Sequence, residues 1–390
     1  MEKDDLISWA RDNIFKKIYN CHDLTEFIKS ITLILPYRGY SSSHFFINTI
    51  DSKKFKLDNK GPDTYQFLTK LNFYKKDYPE LYGITNKDHL PQITAEYKAL
   101  ELLKKEFIDK KITPCIIKLL YYSECFDDNL NFSSNNSDSI EDNCSKMRET
   151  LFKSPSKSMN LIIQNLFCKN IELINSGLSN KGFSFMALEE GNITLKTYLK
   201  EFINNIEGII IFKSLLFQVI ITIYLISKKY PSFRHNDLHT DNIVLRFDKK
   251  YSFNPMKMKY LVFNDSLTEG GTTWTIPYFG IIAKIIDFGF VVIKEENIIS
   301  NILDNKSIMA DRPDNDILLL LYDIYSQIDD KEIDKIISKL DPTKFHRTFD
   351  IKFLLDHPNL IPSYKDLVYN NIWNEYKNVK VPVSSLYDPY

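Results

Sequence analysis

Apolar residues follow two different periods along the chain. Alternating runs typical of strands lie in the first half, and helical spacing dominates from residue 194 onwards, as well as at 1–30 and 92–107. The pattern therefore predicts a strand-rich first region with an amphipathic helical lead-in, followed by a mainly helical second region. The strand-like runs are ITLIL at 31–35, HFFINTI at 44–50, YQFLTKLNF at 65–73 and FSFMAL at 183–188.

The longest apolar stretch, IIIFKSLLFQVIITIYLI at 209–226, approaches the length that spans a membrane. It contains Lys213 and Gln218, and it runs almost directly into the Asp-containing stretch described below. A spanning helix would leave that stretch at a membrane surface, whereas a buried core helix accounts for the same pattern. We therefore predict a core helix and no membrane insertion.

Composition excludes several classes of protein. The chain has 390 residues, of which 44% are hydrophobic and 26% charged, and its net charge is −1. Such a chain is long enough for one two-lobed domain, and its charge balance does not favour nucleic-acid binding. Five dispersed cysteines indicate free thiols in a reducing compartment, and the charged N terminus lacks a signal-peptide core, so we expect an intracellular, cytoplasmic protein.

Two separated stretches carry the candidate chemistry. FRHNDLHTDNIVLRF at 233–247 offers Asp237 and, five positions later, Asn242 before a short apolar strand. AKIIDFGF at 283–290 offers Asp287 on a turn that a glycine permits. In a phosphotransferase, Asp237 would accept a hydroxyl proton while Asn242 and Asp287 hold Mg²⁺. Either stretch alone is weak evidence, but their order and flanking strands strengthen the hypothesis.

HNDLHTDN and IIDFGF together resemble the catalytic loop and DFG turn of the protein-kinase superfamily. The DLH form looks most like divergent Ser/Thr kinases of large DNA viruses, of the mimivirus and poxvirus type. The resemblance implies an α+β, two-lobed fold with a small β-rich N-lobe and a larger helical C-lobe. It also implies ATP and Mg²⁺ as cofactors and protein substrates with Ser/Thr acceptors. We expect a monomer.

The resemblance also implies domain bounds. Residues 1–30 would form a helical extension and 31–390 the kinase-like domain, with the N-lobe at 31–188 and the C-lobe at 192–390. A Ser/Asn-rich stretch at 127–157 predicts a disordered insertion, and extra strands at 247–282 predict a hairpin insertion.

Phosphate-binding residues are predicted in the first region. Lys70 would anchor the phosphates and Glu96 would orient it, with Glu101 as the second choice. The alternative for Lys70 is a side chain exposed to solvent, and the alternative for Glu96 and Glu101 is a helix face exposed to solvent. Gly39 and Ser41 would let backbone N–H groups approach the phosphates, although a plain hairpin turn fits equally well.

The remaining predicted contacts are with nucleotide. Leu188 would back the adenine pocket, and Glu189 and Gly191 would supply hinge backbone, although a strand that ends in a glycine turn would look the same. His239 stands where the family has a phosphate-contacting lysine, and its charge depends on pH. His235 is predicted to form structural hydrogen bonds.

Some residues depart from the family pattern. No APE follows Asp287, and Asn236 replaces the arginine that clamps a phosphorylated activation loop in many kinases, so we predict activity without that phosphorylation. Asp316 would either brace the catalytic loop or only cap a helix. The predicted activity is a Ser/Thr protein kinase; a small-molecule kinase of the aminoglycoside or choline kinase type and a pseudokinase scaffold remain open as alternatives.

Overall fold

The structure is a computed structural model, and it describes most of the chain. Two of the predicted features lie outside the described residues: the phosphate loop with Gly39 and Ser41, and the insertion at 127–157. The described ranges are 14–30, 32–34, 45–51, 64–73, 92–126, 182–203, 205–248, 251, 258–264, 272–300, 315–328, 330–341 and 362–390.

The chain folds into two compact units. Unit 1 comprises 1–82 and 118–190, and unit 2 comprises 83–117 and 191–390. Unit 1 is built mainly of strands and unit 2 mainly of helices, which gives the α+β, two-lobed architecture of a kinase-like fold. The helix that carries Glu96 belongs to unit 2, whereas Lys70 belongs to unit 1.

The described residues of unit 1 form one helix and an antiparallel sheet of five strands. These elements are α1 (Cys21–Ser30), β1 (Thr32–Ile34), β2 (Phe45–Asp51), β3 (Thr64–Phe73), β4 (Leu119–Phe126) and β5 (Gly182–Leu188). The strand order is β1-β2-β3-β5-β4. The central strand β3 pairs with β2 on one side and with β5 on the other, so that Lys70 lies opposite both Phe45 and Met186.

Aromatic packing attaches the lead-in residues to this sheet. The Phe15 ring stacks on Tyr121 at 5.2 Å and meets Phe67 edge to face at 5.6 Å. A disulfide also joins Cys21 on α1 to Cys125 on β4. The prediction of free thiols is therefore wrong for this pair, because the spacing of the cysteines along the chain did not show that the fold of unit 1 brings α1 and β4 together.

Unit 2 contains, in its described residues, three small sheets among helices. Its elements are α2 (Gln92–Leu103), β6 (Ile193–Thr194), α3 (Leu195–Phe202), α4 (Ile206–Lys229), β7 (Ile243–Phe247), β8 (Lys259–Asn264), β9 (Thr273–Tyr278), β10 (Ile281–Ile285), β11 (Val292–Ile293), β12 (Ile298–Ile299), α5 (Asn315–Gln327), α6 (Lys331–Leu340) and α7 (Tyr364–Val368). In the largest of the three sheets, strand β7 pairs antiparallel with both β6 and β10.

The predicted core helix is α4. Asn205 caps its first turn by accepting a hydrogen bond from Gly208 N at 2.7 Å. The helix is long and apolar enough to cross a membrane by length and composition, with a mean hydropathy of 2.4 over its most apolar window, yet 78% of that window is buried in the protein. Burial of this apolar surface supplies much of the core of unit 2.

The predicted hairpin insertion contains two paired strands, β8 and β9. The C-terminal residues pack along both of them: Lys377 bridges to Trp274, and Leu386 bridges to Tyr260. Tyr387 adds a stacked ring at 3.9 Å from Tyr278. The insertion is thus fixed to the body of unit 2 by the end of the chain.

Candidate active site

The Asp237 loop is held by a carboxylate from α5. Asp316 accepts the backbone N–H of His235 at 2.7 Å and that of Asn236 at 2.8 Å. Burial raises the pKa of Asp316, although His235, these N–H donors and Arg234 all act to lower it. Both carboxylate oxygens therefore serve the loop, which confirms the bracing role over a simple helix cap.

Asp237 and Asn242 interact directly. The Asn242 amide nitrogen donates to the Asp237 carbonyl oxygen at 2.8 Å and to Asp237 Oδ2 at 3.0 Å. Asn242 ends the short helical turn Thr240–Asn242 and is buried, whereas Asp237 is half-buried. Because the Asn242 amide nitrogen points toward Asp237, the amide oxygen points away from Asp237, where it can bind a cation.

Asp287 is brought next to Asn242 by strand pairing. In the β7–β10 ladder Ile285 lies opposite Ile243, and one step further Ile286 N donates to Asn242 O at 3.0 Å. Asp287 follows at once, buried to 2% exposure and in the left-handed region with φ 59°. This conformation is uncommon for a non-glycine residue, although Asp and Asn tolerate it better than most residues.

Asn242 and Asp287 form a donor set that fits Mg²⁺. Carboxylate and amide oxygens are hard ligands, and Mg²⁺ is often held by one or two such groups together with substrate phosphates. A site with one carboxylate and one amide oxygen therefore suits a cation shared with a phosphate ligand.

His235 links the loop to the turn that carries Asp287. Its Nε2 lies 2.8 Å from Ile286 O, and its ring centroid lies 4.9 Å from that of Phe288. The side chain is fully buried. These contacts confirm the prediction of a structural hydrogen bond, because the ring is used in joining two backbone segments.

His239 lies beside Asp237, with Nε2 3.6 Å from Asp237 Oδ2. Burial alone would lower its pKa, but the hydrogen bond and charge of Asp237, with the charges of Asp323 and Asp241, outweigh burial and raise that pKa. Its Nδ1 accepts the Asp241 backbone N–H at 3.3 Å, a hydrogen bond that only the neutral ring can make, so protonation of His239 would break it. The contact between His239 and phosphate stays a prediction.

Asp323 is a site residue that sequence reasoning missed. It accepts the Thr240 backbone N–H at 2.7 Å and the Thr240 hydroxyl as well. Asp316 and Asp323 are seven residues apart on α5, which places them on one face of the helix. That spacing, together with the polar loop upstream, was the available signal.

Lys70 in unit 1 is buried, with 2% of its surface exposed. The alternative of a solvated lysine is therefore wrong. A lysine is rarely buried without a specific purpose, because desolvation of its ammonium is costly. Burial in β3 fits the predicted anchor for phosphate, which stays a prediction.

The two candidate glutamates differ in burial. Glu96 is fully buried on α2, whereas Glu101 is exposed on the same helix. A solvated helix face therefore describes Glu101 and not Glu96. Since Lys70 and Glu96 belong to different units, their pairing stays a prediction.

The residues predicted for the hinge have packing roles within their own units. Leu188 is fully buried. Glu189 makes two hydrogen bonds with the backbone of Lys118. Glu189 N donates to Lys118 O at 3.0 Å, and Glu189 Oε1 accepts the Lys118 N–H at 2.8 Å. A Cβ at Gly191 would lie 2.6 Å from Val244 Cβ. Their contacts with adenine stay predictions.

No protein-family model matches the chain. A mimivirus protein named as serine/threonine-protein kinase R301 (Acanthamoeba polyphaga mimivirus) is 26% identical over 307 residues, which cover 71% of this chain and 69% of that protein. A Dictyostelium discoideum protein named as serine/threonine-protein kinase DDB_G0286465 is 43% identical over 117 residues, 30% of this chain and 9% of that protein. A second mimivirus protein named as a serine/threonine-protein kinase, R400, is 34% identical over 97 residues, 25% of this chain and 18% of its own length.

Solved structures give only low similarity. A structure described as WaaP in complex with acyl carrier protein aligns with a TM-score of 0.38 at 10% identity, covering 91% of this chain and 95% of that one. A kinase domain described as PF14_0431 aligns with a TM-score of 0.32 at 13% identity, covering 68% and 52%. The sequence relatives and the joined HNDLHTDN and DFG stretches show that the chain is related to the protein-kinase superfamily.

Proposed function

We propose that the chain transfers the γ-phosphoryl group of ATP to Ser/Thr hydroxyls of proteins. The observation that carries the proposal is the joining of Asp237, Asn242 and Asp287 by two hydrogen-bonded links, Asn242 Nδ2 to Asp237 Oδ2 at 3.0 Å and Ile286 N to Asn242 O at 3.0 Å. A proton acceptor and a cation-binding pair at one place are what phosphoryl transfer needs.

Each residue has a definite task in this reaction. Asp237 would accept the proton of the attacking hydroxyl and orient its oxygen, since the Asn242 amide fixes one of its carboxylate oxygens. Asn242 and Asp287 would hold Mg²⁺, which supplies neutralisation of phosphate charge. Lys70 would hold the α/β-phosphates, and His239 would add positive charge beside Asp237.

The test is transfer of radiolabelled γ-phosphate from Mg-ATP to a mixed set of Ser/Thr peptides. Asp237→Asn and Asp287→Asn should each lower turnover by about 10²- to 10⁴-fold, because the first removes the proton acceptor and the second a charged metal ligand. Glu201→Gln, on the exposed face of α3, is the matched control and should leave turnover unchanged. Equal turnover in all three variants would sink the proposal.

A small-molecule kinase is the second candidate, because the sequence after Asp287 contains no APE, the element that supports a peptide-docking platform in the family. An acceptor screen that includes amino alcohols and aminoglycosides separates the two. Transfer to peptides alone supports the protein kinase. Transfer to small alcohols alone would move the assignment to this second class while leaving the roles of Asp237 and Asp287 intact.

A further inference from the structure

The residues that follow the Asp287 turn form a short β-hairpin. Strands β11 and β12 pair, and Ser300 ends the hairpin. Ser300 Oγ donates to Gly289 O at 2.7 Å and Ser300 N to Val291 O at 3.1 Å. Ser300 is the one hydroxyl residue within 287–300, and it is fully buried. Phosphorylation of this described segment would therefore require its hairpin to open.

Asn236 ties the segment to the catalytic loop. Its backbone N–H donates to Asp316, while its side-chain Nδ2 donates to Phe290 O at 2.8 Å, three residues beyond Asp287. Asn236 also has φ 63°, a conformation that asparagine tolerates better than most residues. The backbones of Arg234 and Val292 exchange two further hydrogen bonds of 3.0 Å beside it.

Glu295 makes a second connection at the far end of the hairpin. Its Oε1 accepts Ser232 N at 2.9 Å, and its Oε2 accepts the Ser232 hydroxyl. Lys294 N donates in turn to Ser232 Oγ at 2.6 Å. Burial acts to raise the pKa of Glu295, but the Ser232 hydrogen bonds and the charge of Arg234 lower it, so this anion is permanent at neutral pH.

We propose that Asn236 and Glu295 are positioning residues: they hold residues 287–300 against residues 231–236, so that the Asp287 turn is set without phosphorylation of this segment. An amide donor and a fixed carboxylate replace the arginine–phosphate pair that charge-assisted clamps use. We call the Asn236 and Glu295 contacts together the clamp. Its effect on the Asp287 turn during catalysis rests on the proposed function, whereas the existence of the clamp does not.

The clamp is tested by hydrogen exchange on the full chain without nucleotide. Asn236→Gly keeps a residue that accepts positive φ but deletes the amide, and Glu295→Ala deletes the carboxylate. Each should speed exchange of the Val292 amide at least tenfold. Asn297→Gly is the control, because Asn297 is an exposed residue with φ 54° in the same hairpin; it should leave exchange unchanged. Unchanged exchange in the first two variants would overturn the proposal whatever the activity.

A kinetic readout then separates positioning from folding. Asn236→Gly and Asn236→Asp both lack the amide donor. If the parent transfers phosphate, each variant should raise the KM for Mg²⁺ about tenfold with an unchanged melting temperature. Phosphatase treatment should not slow the parent. If the parent is inactive, the exchange result alone decides the clamp. Stoichiometric phosphate on Ser300 in the active protein would contradict it.

Discussion

The Asp237 loop of unit 2 and the Lys70 strand of unit 1 hold their polar residues by different means. In the loop, Asp237 and Asn242 are five residues apart and are fixed by hydrogen bonds to each other and, through the neighbouring backbone, to Asp316. Lys70 is instead placed by the register of β3 between β2 and β5, and it is buried. Because the bonded residues of the loop lie close together in sequence, a short motif is enough to predict them. The position of Lys70 depends on strand register, which a short motif does not reveal.

Of the substitutions that compare the two regions, replacement of Lys70 should reduce activity most. Lys70→Met keeps the volume of the buried stem but removes the ammonium, and kcat/KM for Mg-ATP should fall about 10- to 100-fold, the equivalent of a lost hydrogen bond between charged groups. Lys98→Met, exposed on α2, is the control. A Lys70→Met enzyme with full activity would show that unit 1 does not supply the phosphate anchor.

Replacement of Asp316 tests whether the loop depends on its brace. Asp316→Asn can accept only one of the two backbone N–H groups and turns an amide donor toward the other. We expect the free energy of unfolding to fall by about 1–3 kcal/mol, with a loss of turnover, although burial raises the pKa of the native carboxyl. Denaturant titration and turnover are measured together.

Asp323→Asn provides the graded comparison for this experiment. It affects Thr240, which lies further along the loop, and should cost less stability than Asp316→Asn. The reverse ranking would mean that the loop is anchored mainly at Thr240.

His239 should make nucleotide binding depend on pH. Because its pKa is raised above 6.5, the protonated form is present below that value and is lost as pH rises through the raised pKa. The KM for Mg-ATP should therefore increase a few-fold over that rise. His239→Lys should show a flat profile through the same range, and a parent profile that is already flat would exclude a phosphate contact by His239.

Glu106 gives the smallest expected effect and tests electrostatics away from the site. Its carboxylate pairs with Lys110 at 2.5 Å and with Lys229, and these hydrogen bonds lower its pKa to about 2. A depressed pKa contributes stability above about pH 4.5 that is lost as pH falls toward 2. Glu106→Gln should cost about 0.2–1 kcal/mol at pH 7, since the neighbours are partly exposed.

The control for the Glu106 substitution is Glu101→Gln, which is exposed on α2, just before the π-helical turn Lys104–Ile108 that carries Glu106. Denaturant titrations at pH 7 and at pH 2.5 give the comparison. A difference between Glu106→Gln and the parent that persists unchanged at the lower pH would show that packing, and not charge, is responsible.

The sequence predicted residues that a short motif carries. Asp237 and Asn242 could be predicted because they lie five residues apart within HNDLHTDN, and the roles of His235 and Asp316 could be predicted from the same resemblance, although their partners lie 51 and 81 residues away. Asp323 and the Glu189 carboxylate were missed, since no motif marks them and their partners Thr240 and Lys118 lie 83 and 71 residues away. The Cys21–Cys125 disulfide, whose cysteines are 104 positions apart in sequence, was missed for the same reason.

The close approach of Gly191 to Val244 couples two positions in evolution. Any side chain at 191 would put its Cβ 2.6 Å from the Val244 Cβ, inside a strand that also leads out of the catalytic loop. A substitution at 191 therefore becomes tolerable only after residue 244 has lost its Cβ, which orders the two mutational steps. Among homologues, larger residues at the first position should accompany glycine at the second.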